Sequence, residues 1–170
     1  RVSRGLGDVY KRQDQLDGGA FQNLCDAYLT CKGYGIGYSL GMRTGTNKTA
    51  KGNPDTYFLK EDGKYVFVMY TTQKDDFIKK ALKDLEKCFD ADKTGIPAEN
   101  VGEIVYCHTC GRLLAGDTQT LNEFCKARNS TLTLIGLDKL GEDLYCHYPR
   151  IAKDFLDVSV DTGQICLLYT

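Results

Sequence analysis

The sequence predicts a mixed α/β sandwich, with an antiparallel meander on one side of the sheet and α/β crossovers on the other. Three observations predict it. The first is period-two alternation in residues 34–43 (Ile36, Tyr38, Leu40, Met42) and again in 64–73, where Val66, Val68 and Tyr70 oppose Tyr65, Phe67, Met69, Thr71 and Gln73. The second is a switch to helical spacing over 74–89, where Phe77, Ile78, Ala81, Leu82, Leu85, Cys88 and Phe89 form one apolar stripe. The third is a pair of later apolar runs, EIVYCH at 103–108 and TLTLIGL at 131–137, separated by a helical pattern as crossovers require. The order reads α-β-β-β-α-β-α-β plus C-terminal helices.

Taken in order, residues 19–32 place Phe21, Leu24, Cys25, Tyr28 and Leu29 at helical spacing, with Gln22, Asn23 and Asp26 on the other face and Gly33 as the stop. Residues 34–43 read as a Gly-rich strand, and 44–53 as a basic, Gly-punctuated loop carrying Lys48 and Lys51. A strand then opens on Pro54-Asp55, turns at Glu61-Asp62-Gly63 and returns over 64–73. In the helix over 74–89, Asp75 and Asp76 suit the positive N-terminal end of the dipole. Residues 93–100 form a Gly/Pro linker. Asp117 is the expected cap of a helix running to about Arg128, with Leu121, Phe124 and Cys125 inward. Two short helices over 138–148 and 150–155 are separated by Pro149.

The ends read differently. Residues 1–13 (RVSRGLGDVYKRQ) carry no apolar periodicity, and no apolar run follows their basic residues, so no signal peptide is expected. Residues 8–13 can be encoded GATGTGTATAAGAGACAG; the reverse complement, read one frame over, spells Cys166-Leu167-Leu168-Tyr169 and begins Thr170. One DNA sequence in opposite orientations at both ends resembles the translated end of a sequencing-library transposon. Residues 1–13 and 166–170 are therefore expected to be adaptor scars, leaving 14–165 as one domain cut from a longer natural chain.

Of the 170 residues, 42% are apolar and 26% charged, with no long apolar run, low-complexity tract or repeat, as suits a single globular domain. The net charge is −1; Arg1, Arg4, Lys11 and Arg12 against Asp8 give the first segment +3, which leaves −4 for the rest. Nucleic-acid binding would then rest on a local basic patch. Setting Cys166 aside leaves seven scattered cysteines, an odd number with no secretory signal, which points to reduced thiols and a cytoplasmic setting.

The stretch with most chemistry is GTNKTAKGNPDTYFLKEDGKYVFVMYTTQK at 45–74. Asp55 stands where the basic loop becomes a strand, and pairing with the returning strand sets it beside Met69, Thr71 and Gln73. On these residues the chain resembles the restriction-endonuclease-like, or PD-(D/E)XK, nuclease superfamily. The strings FQNLCDAYL, GTNKTAKGNPDTYF, YVFVMYTTQ and KDFLDVSVDTGQ resemble a subgroup that leads large bacterial proteins, several of them anti-phage, with a nucleotide-hydrolysing module downstream. The likeness covers nearly all of 14–164.

The resemblance implies a restriction-endonuclease-like mixed sheet flanked by helices and a metal-dependent endonuclease acting on DNA with Mg²⁺ (or Mn²⁺). It implies a missing downstream domain of the NTPase kind as partner; cutting both strands of a duplex implies a homodimer, and no membrane is expected. A divalent ion polarises the phosphate and lowers the pKa of the attacking water; Mg²⁺ is commonly held by one or two carboxylates. Asp55 is the implied metal ligand. Met69, Thr71 and Gln73 occupy the other catalytic positions; Lys48, Lys51 and Lys74 are the candidate nucleic-acid-binding residues, Lys48 and Lys51 as phosphate contacts beside the site and Lys74 as a stand-in for a displaced catalytic lysine.

Met69 departs from the pattern. The resemblance implies EYTTQ where this chain reads MYTTQ, and a thioether is a poor partner for Mg²⁺. Three readings follow: a natural inactive copy, an altered residue, or a carboxylate supplied from elsewhere, such as Asp26. Ala20 likewise stands where related nucleases place a Glu near the start of the first helix. The alternative function is a catalytically inactive nucleic-acid-binding or protein-interaction domain on the same fold. Cys107-His108-Thr109-Cys110 reads as core thiol and turn rather than zinc, because the other half of a site would have to come from Cys146-His147 with Cys25 or Cys31. Cys107 and His108, adjacent on a strand, face opposite ways and make no nucleophile–base pair.

Overall fold

Five strands form one mixed sheet in the order β1 (Tyr38–Ser39), β2 (Thr56–Leu59), β3 (Tyr65–Thr71), β4 (Val101–His108) and β5 (Thr131–Ile135). The structure, a computed structural model of the chain, describes residues 2–34, 38–39 and 54–159. β1–β2 and β2–β3 are antiparallel, whereas β3–β4 and β4–β5 are parallel. The meander and the crossovers therefore meet at β3, as the alternation predicts. The helices are α1 (Val2–Asp14), α2 (Gly18–Leu29), α3 (Phe77–Cys88), α4 (Ala91–Thr94), α5 (Ala115–Lys126), α6 (Leu137–Cys146) and α7 (Pro149–Leu156).

The period-two pattern of β3 divides the core in two. Val66 and Val68 join Phe58, Val105 and Cys107 under α2, α6 and α7, with Phe21, Leu24, Tyr28, Leu140, Leu144 and Ile151 supplied by those helices. Phe67 and Met69 join Ile104 and Tyr106 on the other face, covered by Phe77, Ala81 and Leu85 of α3 and by Leu121 and Cys125 of α5. Each face buries a continuous apolar layer, which fixes the register: a one-residue slip would exchange the two sets.

The element ends show local chemistry overriding periodicity. Asp17 caps α2 by accepting the Ala20 N–H at 2.8 Å. After Leu29 the chain unwinds through a π-type turn over Thr30–Tyr34 that closes on Gly33 at φ 98°, so Tyr34 belongs to this turn and not to a strand. Residues 35–37 and 40–53, the rest of the predicted first strand and the basic loop, lie outside the described residues. Pro54 and Asp55 form a bend just before β2. α3 starts at Phe77 because Asp76 takes a left-handed φ of 51° and gives no side-chain cap. Leu114, not Asp117, is the N-cap of α5, and Asp117 falls within its first turn. Gly136 ends β5 by becoming the N-cap of α6, so Leu137 is helical. Pro149 opens α7, where its missing N–H is not required.

α1 is a helix that the periodicity of 1–13 does not signal. It packs on α6 and α7 with Val9 and Gln13 fully buried. Close approach comes from glycines: a Cβ on Gly141 would lie 2.4 Å from Tyr10 Cε1, and one on Gly5 3.0 Å from Tyr145 Cε2. A contact built on glycines and one valine leaves no apolar stripe to read. It also buries the Gln13 amide without a hydrogen bond for either atom, which costs about 1–3 kcal/mol. Among the described residues no helix is long and apolar enough to cross a membrane.

Candidate functional site

Asp55 stands at the head of β2, one residue before the Thr56–Val68 pair, so the register sets it across from Met69. Its carboxylate accepts the Tyr70 N–H at 3.1 Å, which ties the bend to β3. Burial pushes Asp55 up to about 6; the Tyr70 N–H and the Lys80 ammonium act the other way, and the Asp84 and Asp26 carboxylates add to the rise. A carboxylate in this condition is part-protonated near neutral pH, poised either to exchange a proton or to gain from an added positive charge.

On the α2 face, Asp26 accepts hydrogen bonds from the Tyr70 hydroxyl and, at 3.3 Å, from Thr56 Oγ1. Thr56 in turn accepts from Gln22 Nε2 at 3.5 Å. Burial raises the Asp26 pKa, opposed by the Tyr70 and Thr56 hydroxyls. The α3 face carries a second polar group. Asp84 is only 2% exposed, yet it sits in the apolar stripe of α3, between Ala81 and Leu85. Its Oδ2 meets the Lys80 ammonium one turn earlier and accepts the Tyr106 hydroxyl of β4 at 2.8 Å, and its Oδ1 lies 3.7 Å from Lys87 Nζ. Burial, followed by the neighbouring Asp84 charge, drives the Tyr106 hydroxyl far above its ordinary pKa, so it remains a donor.

The structure brings some predicted residues together and separates others. Met69 lies beside Asp55, but it is 5% exposed and part of the apolar layer with Phe77 and Ala81. Thr71, the last residue of β3, is buried; its hydroxyl accepts the Gln73 N–H at 3.1 Å and its carbonyl the Thr109 N–H at 3.2 Å. That pair of bonds turns the chain, so Gln73 is off the strand and exposed, with Nε2 donating to the Asp75 carbonyl at 2.8 Å. Lys74 is exposed and paired with Asp14 of α1. Lys48 and Lys51 lie outside the described residues. Ala20 offers only its N–H, to the Asp17 cap.

The cysteines are dispersed. Cys107 packs in the α2-side layer with Cys25, while the Cys110 thiol lies 3.9 Å from the Lys74 carbonyl. His108 is turned to the opposite face from Cys107, its ring 4.7 Å from that of Phe77, and burial lowers its pKa. The seven described cysteines are free thiols.

Whether the implied divalent ion suits these residues follows from the donors. Mg²⁺ requires several oxygen ligands. Asp55 offers a carboxylate already engaged by one N–H, position 69 offers a buried thioether, and Asp26 and Asp84 are engaged by hydroxyls and ammonium groups. Among the described residues no group of three or more His, Cys, Asp or Glu side chains is arranged to hold a metal. Among the described residues the donor set does not fit the ion. Asp84, Lys80 and Tyr106 are not among the residues that the sequence motifs single out. The signal was present in the helix: an acid at a position the apolar stripe assigns to the core needs buried partners.

No family model, curated protein or solved structure matches the chain. The functional reading rests on the residues.

Proposed function

We propose that this chain is a nuclease-type domain whose working carboxylate is Asp55, acting on DNA phosphodiesters as the effector module of a larger defence protein. In this copy cleavage is impaired by Met69. The observation that carries the reading is the placement of Asp55, held on the Tyr70 N–H at the head of β2 and across from position 69. The α-β-β-β-α-β order, with β3 and β4 parallel across α3, is the architecture the resemblance implies. The divalent ion belongs, in this reading, to the Met69→Glu variant, where a second carboxylate would stand beside Asp55. DNA, a downstream NTPase module and a second copy of the chain are the partners of this proposal.

The test is a plasmid-nicking assay with Mg²⁺ and Mn²⁺ on three proteins: the chain as given, Met69→Glu, and Met69→Glu with Asp55→Ala. The expected result is cleavage by the single variant alone. A Met69→Glu protein that folds and leaves the plasmid intact overturns the assignment.

A second reading is favoured by the packing of Met69 in the apolar layer with Phe67, Phe77 and Ala81. A thioether so well accommodated suits a domain that binds nucleic acid without cutting it. DNA binding by the chain as given, in EDTA and weakening with salt, with Met69→Glu still inactive, would favour that reading.

A further inference from the structure

Asp84 is an acid in a position that the amphipathic pattern of α3 reserves for apolar side chains, flanked by buried Ala81 and Leu85. A carboxylate so placed stays ionised only with compensating charge and hydrogen bonds. Lys80 provides the closest compensation, from one helical turn earlier and with its side chain about one-third exposed. Tyr106 Oη donates to the same Oδ2, and Lys87 reaches the other oxygen from the next turn. Asp55 stands at the head of β2 across from Met69, which packs in the same layer as Ala81 and Leu85 of α3, and it is repelled by Asp84 and attracted by Lys80. Both carboxylates therefore lie in the field of the Lys80 ammonium, Lys87 reaching only the other oxygen of Asp84, in the part of the fold where the resemblance implies a divalent ion.

We infer that Lys80 is the resident cation of this site: its ammonium neutralises Asp84, offsets Asp55, and lets the chain fold without a divalent ion there. The inference takes the location of the site from the reading of Asp55 as the working carboxylate and deepens it. A divalent ion approaching Asp55 and Asp84 must displace the ammonium or bear its repulsion, and the Oδ2 atom of each acid already accepts a hydrogen bond. Exchange is unfavourable while Lys80 is present. Without Lys80 only Lys87, 3.7 Å from the other oxygen of Asp84, is left against the pair of acids, and an external cation becomes stabilising.

The experiment compares the full chain with Lys80→Met, Lys80→Arg and Lys80→Met combined with Asp84→Asn. Each is melted in EDTA and in millimolar Mn²⁺, and Mn²⁺ binding is followed by electron paramagnetic resonance. The native chain and Lys80→Arg should melt at the same temperature with and without Mn²⁺. Lys80→Met should lose roughly 5 °C in EDTA and regain much of it with Mn²⁺, while the double variant should be insensitive to the ion. Mn²⁺ held by the native chain and released by Asp55→Asn would overturn the inference. So would a Lys80→Met protein as stable as the native chain in EDTA and blind to Mn²⁺. Should Lys80→Met fail to fold in EDTA, recovery of folding in the double variant supports the inference and continued failure refutes it. No readout involves DNA, so failure here and failure of the nicking assay are separate results.

Discussion

Replacing Asp55 by Asn should make the protein more stable at neutral pH. The carboxyl has an ordinary value of 3.8 and is pushed to about 6, with burial the leading cause. At about 1.4 kcal/mol per pKa unit, keeping it ionised in the fold costs about 3 kcal/mol above pH 6. Asn retains an oxygen for the Tyr70 N–H but accepts it less strongly than a carboxylate, which returns about 1 kcal/mol. The net expectation is a gain of about 2 kcal/mol, or roughly 4–8 °C in melting temperature for a domain of this size.

The sign with pH follows from the direction of the shift. Because the folded-state value is raised, the native fold binds the proton more tightly than the unfolded chain. The penalty is fully present above about pH 6, is relieved as pH falls through 6, and vanishes below the unfolded value of 3.8. Urea denaturation of both proteins at pH 7.5, 6 and 4.5 measures this. The advantage of Asp55→Asn should be largest at pH 7.5 and nearly gone at 4.5. Asp26, also raised by burial, titrates in both proteins and largely cancels in the difference. An Asn variant less stable than the native chain at pH 7.5, or an advantage that does not change with pH, would refute the reasoning.

Three further outcomes are expected. Asp84→Ala should cost about 3 kcal/mol, chiefly by stranding the buried Tyr106 hydroxyl and secondarily by releasing Lys80; in a double-mutant cycle with Tyr106→Phe, a coupling of about 1.5–3 kcal/mol is expected and strict additivity would remove the hydrogen bond from the account. Met69→Glu should destabilise the fold by about 2–4 kcal/mol at pH 7.5 in EDTA, because it places a carboxylate in an apolar layer. Its raised pKa should make that loss shrink toward pH 5, as chemical denaturation at the two pH values would reveal. Gly141→Ala should lower stability in the full chain by about 1–2 kcal/mol, since the three atoms nearest its Cβ all belong to Tyr10 and Gln13; in a chain lacking residues 1–13 the same change should instead stabilise by up to about 1 kcal/mol, the helix preference for Ala, and an unchanged sign on thermal melting would show that α1 does not dock there.

What was legible in the sequence depended on repetition. The alternation of Val66, Val68 and Tyr70 against Phe67 and Met69 specified both faces of β3 and through them two apolar layers. The stripe Phe77, Ala81, Leu85, Cys88 specified α3. Single-residue geometry was less legible. β3 ends at Thr71 because its hydroxyl and carbonyl capture the Gln73 and Thr109 N–H groups, and this alone turns Gln73 away from the site it would share on a longer strand. Lys74, expected among the nucleic-acid-binding residues, is paired with Asp14, sixty residues earlier in the chain. Asp55 was placed correctly beside Met69 because strand pairing is a local consequence of the Glu61-Asp62-Gly63 turn, where Gly63 takes φ 80°. Asp84 is concealed among the Lys residues and Glu86 of α3 until its phase on the apolar stripe is checked.

Asp55 and Asp84 differ in kind, and the difference bears on function. Asp84 meets two ammonium groups and a buried hydroxyl, and its removal leaves partners without a bond; this is the condition of a structural ion. Among the described contacts, Asp55 has one backbone N–H and a charge environment in which the nearest acids oppose it. Nothing in the packing of the fold requires a carboxylate there, since an amide would satisfy the same N–H at lower cost. A group that the fold would hold more cheaply in neutral form is the one to connect with a ligand, because stability lost to an uncompensated charge returns as affinity when positive charge arrives. Asp84 is therefore expected to respond to mutation through stability alone, whereas Asp55 should gain stability and lose function together. An Asp55→Asn substitution that is both stabilising and silent in the Met69→Glu nicking background would meet both conditions, and one that is stabilising yet still active would move the working carboxylate elsewhere.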